Sequence, residues 1–236
     1  MQEILGLIRK NGDPTWVRSV PVQDRSPWIE PDQCFEIAMK CPPPRFMASH
    51  LPIQLFPKSF LQSKAKVIYT MRNPKDVVIS HYYHAKCLRG SKQPETLEEH
   101  MKEFLTGNVP YGSWFDHIKG WMEMKNRPNV FFITYEELQK NLRGGVEKIC
   151  HFLGKELTSE QIDSVVENAS FEKMKDNKMS NFSMMPDTIM DKTKGKLLRK
   201  GISGDWKNHF TVAQNEYFDR VYQENMQDVN ITLSWE

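Results

Sequence analysis

Residues 66–76 read KVIYTMRNPKD, a mostly apolar run of strand length that passes directly into a polar turn. A continuous apolar run of this kind is typical of a strand that is buried on both faces in a parallel sheet. In the turn, Asn73 is a good helix N-cap, Pro74 suits the first helical position, and Asp76 suits the first turn. The stretch therefore predicts a strand, a turn and a helix in succession, a junction where α/β proteins bind anions.

The regions on either side of this junction repeat the alternation of strands and helices. Residues 129–135, NVFFITY, predict a second buried strand. Apolar periodicity predicts helices over residues 1–11, 95–106, 113–124, 136–152, 158–168 and 211–226. We expect residues 13–44 and the methionine-rich residues 171–198 to be loops. The pattern predicts an α/β fold in which helices flank a parallel central sheet.

Length and charge limit the possible partners. The chain has 236 residues, enough for one sizeable core, so we expect a single domain over residues 1–236. A net charge of +2 is too small for a protein whose main partner is a nucleic acid. The sequence has no apolar run of the roughly 18 residues that span a bilayer, and no secretory signal pattern. We therefore expect a soluble protein without a nucleic-acid or membrane partner.

The cysteines indicate the compartment. The four cysteines are sparse for a disulfide framework, and they lack the spacing of a metal site. This pattern is typical of a reducing compartment, so we expect a cytoplasmic protein with no bound metal.

Residues 199–208, RKGISGDWKN, form the most specific motif of the chain. Arg199 offers a fork of donors that matches phosphate geometry, and Lys200 adds a point charge. Gly201 has no Cβ, so its backbone can adopt positive φ and approach a ligand closely. Taken alone, the first three residues fit a solvated basic turn better than an anion site, but the whole string predicts an anion site.

This motif resembles the 3′-phosphate-binding signature of the cytosolic sulfotransferases, which move a sulfonate from 3′-phosphoadenosine 5′-phosphosulfate (PAPS) to an alcohol, phenol or amine. The resemblance extends over the whole chain. Residues 12–16, GDPTW, residues 25–30, RSPWIE, and the terminal 235–236, WE, are similar to the hydroxysteroid branch. The resemblance implies a P-loop-like sulfotransferase fold, PAPS as cofactor with adenosine 3′,5′-bisphosphate (PAP) as its product, and a hydroxysteroid or another alcohol as acceptor.

The resemblance also implies roles for particular residues. His50, in residues 49–52, SHLP, matches the catalytic histidine; the local sequence alone does not rank it above the other histidines. Ala48 stands where phenol-acting relatives commonly have a lysine, which favours alcohols. The residues matched to the cofactor are Arg72, Ser80, Tyr135, Ala169, Ser170, Phe171, Met174, Arg199, Lys200 and Gly201. Those matched to the acceptor pocket are Trp28, His84 and Phe182. For a single aromatic residue, burial in the core is the alternative interpretation.

Residues 207–216 fit the dimer motif KxxxTVxxxE of the same family. The motif residues are Lys207, Thr211, Val212 and Glu216. The resemblance implies a homodimer, in which these residues meet across a two-fold axis. A helix start with Thr211 as N-cap would satisfy the same residues.

The sequence departs from the family at its beginning. The family places a glycine-containing phosphosulfate loop, TYPKSGTTW or similar, before a helix like residues 1–11, and no such loop occurs here. We therefore expect an N-terminally truncated sulfotransferase that lacks the first strand and the phosphate loop of the fold. Two functions stay open, namely a PAPS-dependent enzyme and a catalytically inactive nucleotide- or sterol-binding protein or dimer partner. A nucleotide kinase is disfavoured because GxxxxGK[ST] is absent.

Overall fold

The computed structural model of the protein describes residues 1–90 and 93–229, so the resemblance at 235–236 lies outside the described residues. The chain divides into two compact units. The first unit comprises Met1–His50, Lys140–Lys192 and Leu197–Gly201. The second comprises Leu51–Gln139, Thr193–Lys196 and the residues from Ile202 onward. The single domain over residues 1–236 stays a prediction.

The described residues form two strands and twelve α-helices. The strands are β1 Val67–Met71 and β2 Val130–Thr134. The helices are α1 Gln2–Arg9, α2 Thr15–Ser19, α3 Val22–Arg25, α4 Asp32–Lys40, α5 Pro74–Cys87, α6 Leu97–Leu105, α7 Trp114–Met122, α8 Tyr135–Lys140, α9 Leu142–Leu153, α10 Ser159–Asn168, α11 Phe171–Asp176 and α12 Val212–Met226. Short 3₁₀ helices span Lys58–Gln62 and Asp205–Asn208.

The parallel sheet lies in the second unit. β1 pairs with β2 in parallel, with Val67 opposite Val130 and Met71 opposite Thr134. This confirms the predicted α/β class and both predicted strands. Burial of β1 on both faces was a wrong expectation, because Thr70 is exposed and only Met71 is fully buried.

The turn after β1 follows the sequence prediction. The backbone N–H of Lys75 donates to Asn73 Oδ1 over 2.9 Å, and Pro74 occupies the first position of α5. Because this cap and the proline fix the start of the helix, the residues that follow β1 have a defined direction.

Side chains of α5, α6, α7 and α12 form the core of the second unit. On α7, Phe115, Ile118 and Trp121 are only 1%, 2% and 3% exposed. These aromatic and aliphatic side chains are therefore core residues. The helix predicted over residues 136–152 is two helices, because Asn141 caps α9 by accepting the N–H of Gly144 over 2.9 Å.

Residues 13–44 were wrongly expected to be a loop, since α2, α3 and α4 lie within them. Each of these three helices has a proline at its N-cap and no side-chain cap hydrogen bond, so the usual start signals are missing from the sequence. Helices this short depend on packing rather than on propensity. Val17 of α2 and Val22 of α3 are accordingly buried. The loop predicted over residues 171–198 likewise contains a helix, α11.

A buried ion pair connects distant segments of the first unit. Arg25 Nη2 donates to Glu3 Oε2 over 2.7 Å, and both residues are buried. The hydroxyl of Ser180 donates to the same carboxylate oxygen over 2.8 Å. Because removing one partner would leave a charge buried and unpaired, these contacts specify how α1, α3 and residue 180 pack together.

Within the described residues, no helix combines the length and the apolar character needed to cross a membrane.

Two histidines bridge α5 and α6 in the second unit. His81 Nδ1 lies 3.0 Å from His100 Nε2, and His100 is 3% exposed. Burial, together with the neighbouring His100 and His84, lowers the pKa of His81 from 6.5 to about 4.

We expect this pair to weaken the fold in acid. The unfolded chain binds a proton at His81 near pH 6.5, whereas the folded chain binds it only near pH 4, so stability is complete above pH 6.5 and falls as the pH drops toward 4. Between pH 7.5 and 5.5 the free energy of unfolding should fall by about 1 kcal/mol through this residue. Urea unfolding of the wild type and of His81→Gln at both pH values measures the effect. An identical pH dependence in the two proteins would refute it.

Candidate functional site

The predicted base His50 packs against the predicted acceptor-pocket residue Trp28 in the first unit. Trp28 and Ala48 form an isolated parallel bridge, in which the N–H of Ile29 donates to the carbonyl of Ala48 over 3.1 Å. Two residues beyond the bridge, the imidazole of His50 meets the indole of Trp28 edge-on, with ring centroids 4.8 Å apart. The bridge thus brings together two residues that the resemblance placed on the acceptor side.

Glu30 supplies the charge next to His50. The backbone N–H of His50 donates to Glu30 Oε1, and the same oxygen lies 3.6 Å from His50 Nδ1. The imidazole is 45% exposed, yet partial burial lowers the pKa of His50, and the Glu30 carboxylate opposes this effect. His50 is therefore a neutral proton acceptor at neutral pH.

A second contact in the first unit joins two residues matched to the cofactor. Gly201 has φ +67°, and a Cβ added there would overlap the ring of Phe171. Phe171 begins α11, whose N-cap Ser170 accepts the N–H of Lys173 over 3.4 Å. The ring of Phe171 thus lies directly against the backbone of the basic motif, where only glycine leaves room for it.

The other predicted site residues of the first unit lie in varied surroundings. Ala169 is buried, and Lys200 is exposed. Met174, Phe182 and Arg199 are partly buried. Phe182 adopts a left-handed backbone conformation with φ +62°, which is unusual for a bulky side chain.

Arg72 and Tyr135 meet in the second unit. The guanidinium of Arg72 lies over the ring of Tyr135, 4.4 Å from its centroid, and Arg72 Nη2 donates to the carbonyl of Ile202 over 3.0 Å. Burial raises the pKa of Tyr135, and the charge of Arg72 opposes that rise. Arg72 Nε is buried without a hydrogen-bond partner in the described structure. A buried charged donor in this state is suited to an anionic ligand.

Sequence reasoning assigned Asp76 only to the first turn of α5 and missed its main contact. The Asp76 side chain accepts the N–H of Gly204 over 2.6 Å and that of Trp206 over 3.0 Å. Asp76 is 1% exposed. The carboxylate therefore fixes the second half of the basic motif to the turn after β1. No local sequence signal relates residues so far apart in the chain.

The other two residues matched on α5 differ in exposure. Ser80 is exposed and His84 is partly buried. In the predicted dimer motif, Val212 is 76% exposed, and Thr211 caps α12 by accepting the N–H of Gln214 over 3.2 Å. The capping interpretation of Thr211 is confirmed, and it leaves Val212 available on the surface.

Comparison with known families gives one clear match. The sulfotransferase domain family matches residues 1–230. Sulfotransferase 2B1 of Mus musculus is 55% identical over 229 residues, which cover 97% of this chain and 68% of that protein. The 3-beta-hydroxysteroid sulfotransferase of Cavia porcellus is 53% identical over 225 residues, which cover 95% of this chain and 78% of that protein.

Solved structures agree in fold. Retinol dehydratase, in complex with androsterone and inactive cofactor PAP, superposes with a TM-score of 0.87 at 24% identity, covering 99% of this chain and 78% of that one. Mouse sulfotransferase SULT7A1, complexed with PAP, gives a TM-score of 0.73 at 32% identity, covering 89% of this chain and 75% of that one.

The contact between Gly201 and Phe171 predicts unequal costs for two alanine substitutions. Gly204 has φ +79° and open space around its missing Cβ, so Gly204→Ala should cost about 1–2 kcal/mol through backbone strain. Gly201→Ala has the same strain and also displaces the Phe171 ring, so it should cost about 1–3 kcal/mol more. Urea unfolding of both variants tests the difference. Equal costs would mean that the Phe171 ring moves aside freely.

Proposed function

The chain belongs to the sulfotransferase domain family, and from this membership we propose that it transfers a sulfonate from PAPS to the hydroxyl of a steroid or another alcohol. The carrying observation is the contact between Phe171 and Gly201, two residues that the resemblance assigned independently to the same nucleotide. The acceptor class is proposed from the hydroxysteroid sulfotransferase of Cavia porcellus.

On the acceptor side, we assign His50 as the general base. Its neutral imidazole would take the proton of the acceptor hydroxyl, which frees an oxygen lone pair for the sulfonate. Bound PAPS would supply that sulfonate, and the electron pair of the broken sulfur–oxygen bond would stay with the product PAP, which Arg72 and the Phe171 ring would hold. Trp28, edge-on to His50, supplies an apolar wall for the acceptor. We also assign His84 and Phe182 to the acceptor pocket.

On the cofactor side, two features of the described residues fit a nucleotide. The Phe171 ring is the candidate stacking surface for adenine, a contact worth about 1–3 kcal/mol in comparable base–aromatic pairs. The unpartnered Nε of Arg72 is a candidate donor to the 3′-phosphate. We propose that Ser80, Tyr135, Ala169, Ser170, Met174, Arg199, Lys200 and Gly201 complete the cofactor contacts. When bound, PAPS supplies the activated sulfonate.

A second candidate function is a protein that binds PAP and a sterol without turnover. The observations that favour it are the Phe171 ring against Gly201 and the unpartnered Nε of Arg72, because both features suit nucleotide binding and neither takes part in a proton transfer.

Two further features belong to this proposal. We propose a cytosolic location, in keeping with the family resemblance and with four cysteines that form no disulfide. We also propose a homodimer through Lys207, Thr211, Val212 and Glu216. Val212 supports this interface, because an aliphatic side chain that is 76% exposed at a helix start is a ready apolar contact.

Transfer of radiolabelled sulfonate from PAPS to a 3β-hydroxysteroid tests the function directly. We expect no detectable transfer by residues 1–236 expressed alone. We expect transfer by a loop-bearing form, in which a relative's phosphosulfate loop is joined before residue 1. In that form, His50→Ala should lower the rate by about 10²–10⁴. His151→Ala, at an exposed histidine on α9, is the matched control and should keep the rate.

Two results would overturn parts of this proposal. Transfer by residues 1–236 alone that disappears in His50→Ala would refute the non-catalytic alternative. Failure of the loop-bearing form to transfer sulfonate, while it still binds PAP in calorimetry, would refute the enzyme proposal.

Val212→Glu tests the proposed dimer. A charge placed on the exposed Val212 should prevent association across a two-fold axis, so sedimentation equilibrium should change from dimer to monomer mass. Leu55→Glu, at another exposed aliphatic side chain (69% exposed), is the control and should stay dimeric. A wild type that is already monomeric at micromolar concentration would contradict the interface.

A further inference from the structure

We propose that Glu30 is a positioning residue for His50. Its carboxylate holds the backbone and the ring of His50, so that Nδ1 carries the proton and Nε2 is the ring nitrogen that accepts the proton of the acceptor hydroxyl. The inference deepens the proposed function and rests on it, because that function makes His50 the base.

The register of the bridge explains why these two residues meet. Trp28 and Ala48 are partners in a parallel bridge, so residues two positions further along, Glu30 and His50, also come opposite each other. The His50 N–H donates to Glu30 Oε1, which fixes the backbone of the base. The side chain of Glu30 is only 12% exposed, so solvent screens its charge weakly.

The chemistry of the contact selects one imidazole tautomer. An ionised carboxylate only accepts hydrogen bonds, so the ring nitrogen that faces it must carry a proton. Nδ1 faces Glu30 Oε1 at 3.6 Å, which leaves Nε2 as the acceptor in the neutral ring. That distance exceeds a formed hydrogen bond, but hydrogen bonds to catalytic groups are often long without ligand and shorten in the reacting complex. A base oriented by a third group in this way is a recurrent catalytic arrangement.

The free-energy cost of burying the Glu30 carboxylate also argues for a role beyond packing. Its second oxygen, Oε2, is buried without a hydrogen-bond partner in the described structure. A buried carboxylate oxygen in this state is unfavourable, and a glutamine would satisfy the His50 N–H without a buried charge. What the charge adds is stabilisation of the imidazolium that forms when His50 accepts a proton.

The first test measures the pKa and the tautomer of His50 by nuclear magnetic resonance, and it does not require enzymatic turnover. In the full chain, Glu30→Gln should lower the pKa of His50 further, because the carboxylate that opposes desolvation is gone. Glu30→Ala should remove the preference for a proton on Nδ1, seen in the ring ¹⁵N shifts. Glu30→Asp should preserve both properties in part. Glu36→Gln, at an exposed acid in α4, is the matched control and should change neither.

The second test measures the steady-state kinetics of the loop-bearing form. Glu30→Gln should lower kcat by about 10-fold to 10²-fold, within the contribution of a general base, with little change in acceptor KM. The acid limb of the pH profile of kcat/KM should move to lower pH, which a purely structural defect would not produce. Thermal melting of each variant checks that it is folded.

The outcomes separate this inference from the proposed function. If Glu30→Gln leaves both the His50 pKa and the acid limb at their wild-type positions, the positioning role is wrong. If the pKa falls but no form of the protein transfers sulfonate, the coupling of Glu30 to His50 is supported and the proposed function fails.

Discussion

The second unit depends on one carboxylate, that of Asp76. It accepts two backbone N–H groups, from Gly204 and Trp206, and it is almost completely buried. Hydrogen bonds to a charged acceptor contribute about 1.5–3 kcal/mol each, and a buried N–H without its acceptor costs a similar amount. These two hydrogen bonds of Asp76 therefore determine the path of the chain after Gly201, and other contacts depend on that path. Among them, the carbonyl of Ile202 accepts a hydrogen bond from Arg72 Nη2, and Lys75 Nζ lies 4.3 Å from the centroid of the Trp206 ring.

The sequence predicted the elements that local physics determines. Strands β1 and β2 follow from apolar runs, and the start of α5 follows from Asn73 and Pro74, because capping and fixed φ act within a few residues. The three short helices of residues 13–44 were missed because they lack caps and depend on burial of side chains such as Val17. Propensity carries little information about helices of that kind.

The candidate site was predictable only in part. A family resemblance identified the roles of the basic motif and of His50. The groups that contact the motif and His50 were visible only in the fold. Nothing in the local sequence pairs Glu30 with His50, because the pairing depends on a bridge between residues 28 and 48. The contact of Phe171 with Gly201 is likewise long-range, although the positive φ of Gly201 was expected from its residue type.

Two unsatisfied buried polar atoms lie where function is proposed. Among the described residues, seven side-chain atoms are buried without a partner, and Glu30 Oε2 and Arg72 Nε are two of them. Glu30 touches the proposed base, and Arg72 is a proposed hydrogen-bond donor to the 3′-phosphate. Natural proteins tend to break the rule of full hydrogen bonding at functional sites, where a ligand or a reacting group supplies the missing partner. The folding free energy lost at Glu30 and Arg72 is therefore best understood as the cost of keeping polar groups ready for a proton transfer and a charged cofactor.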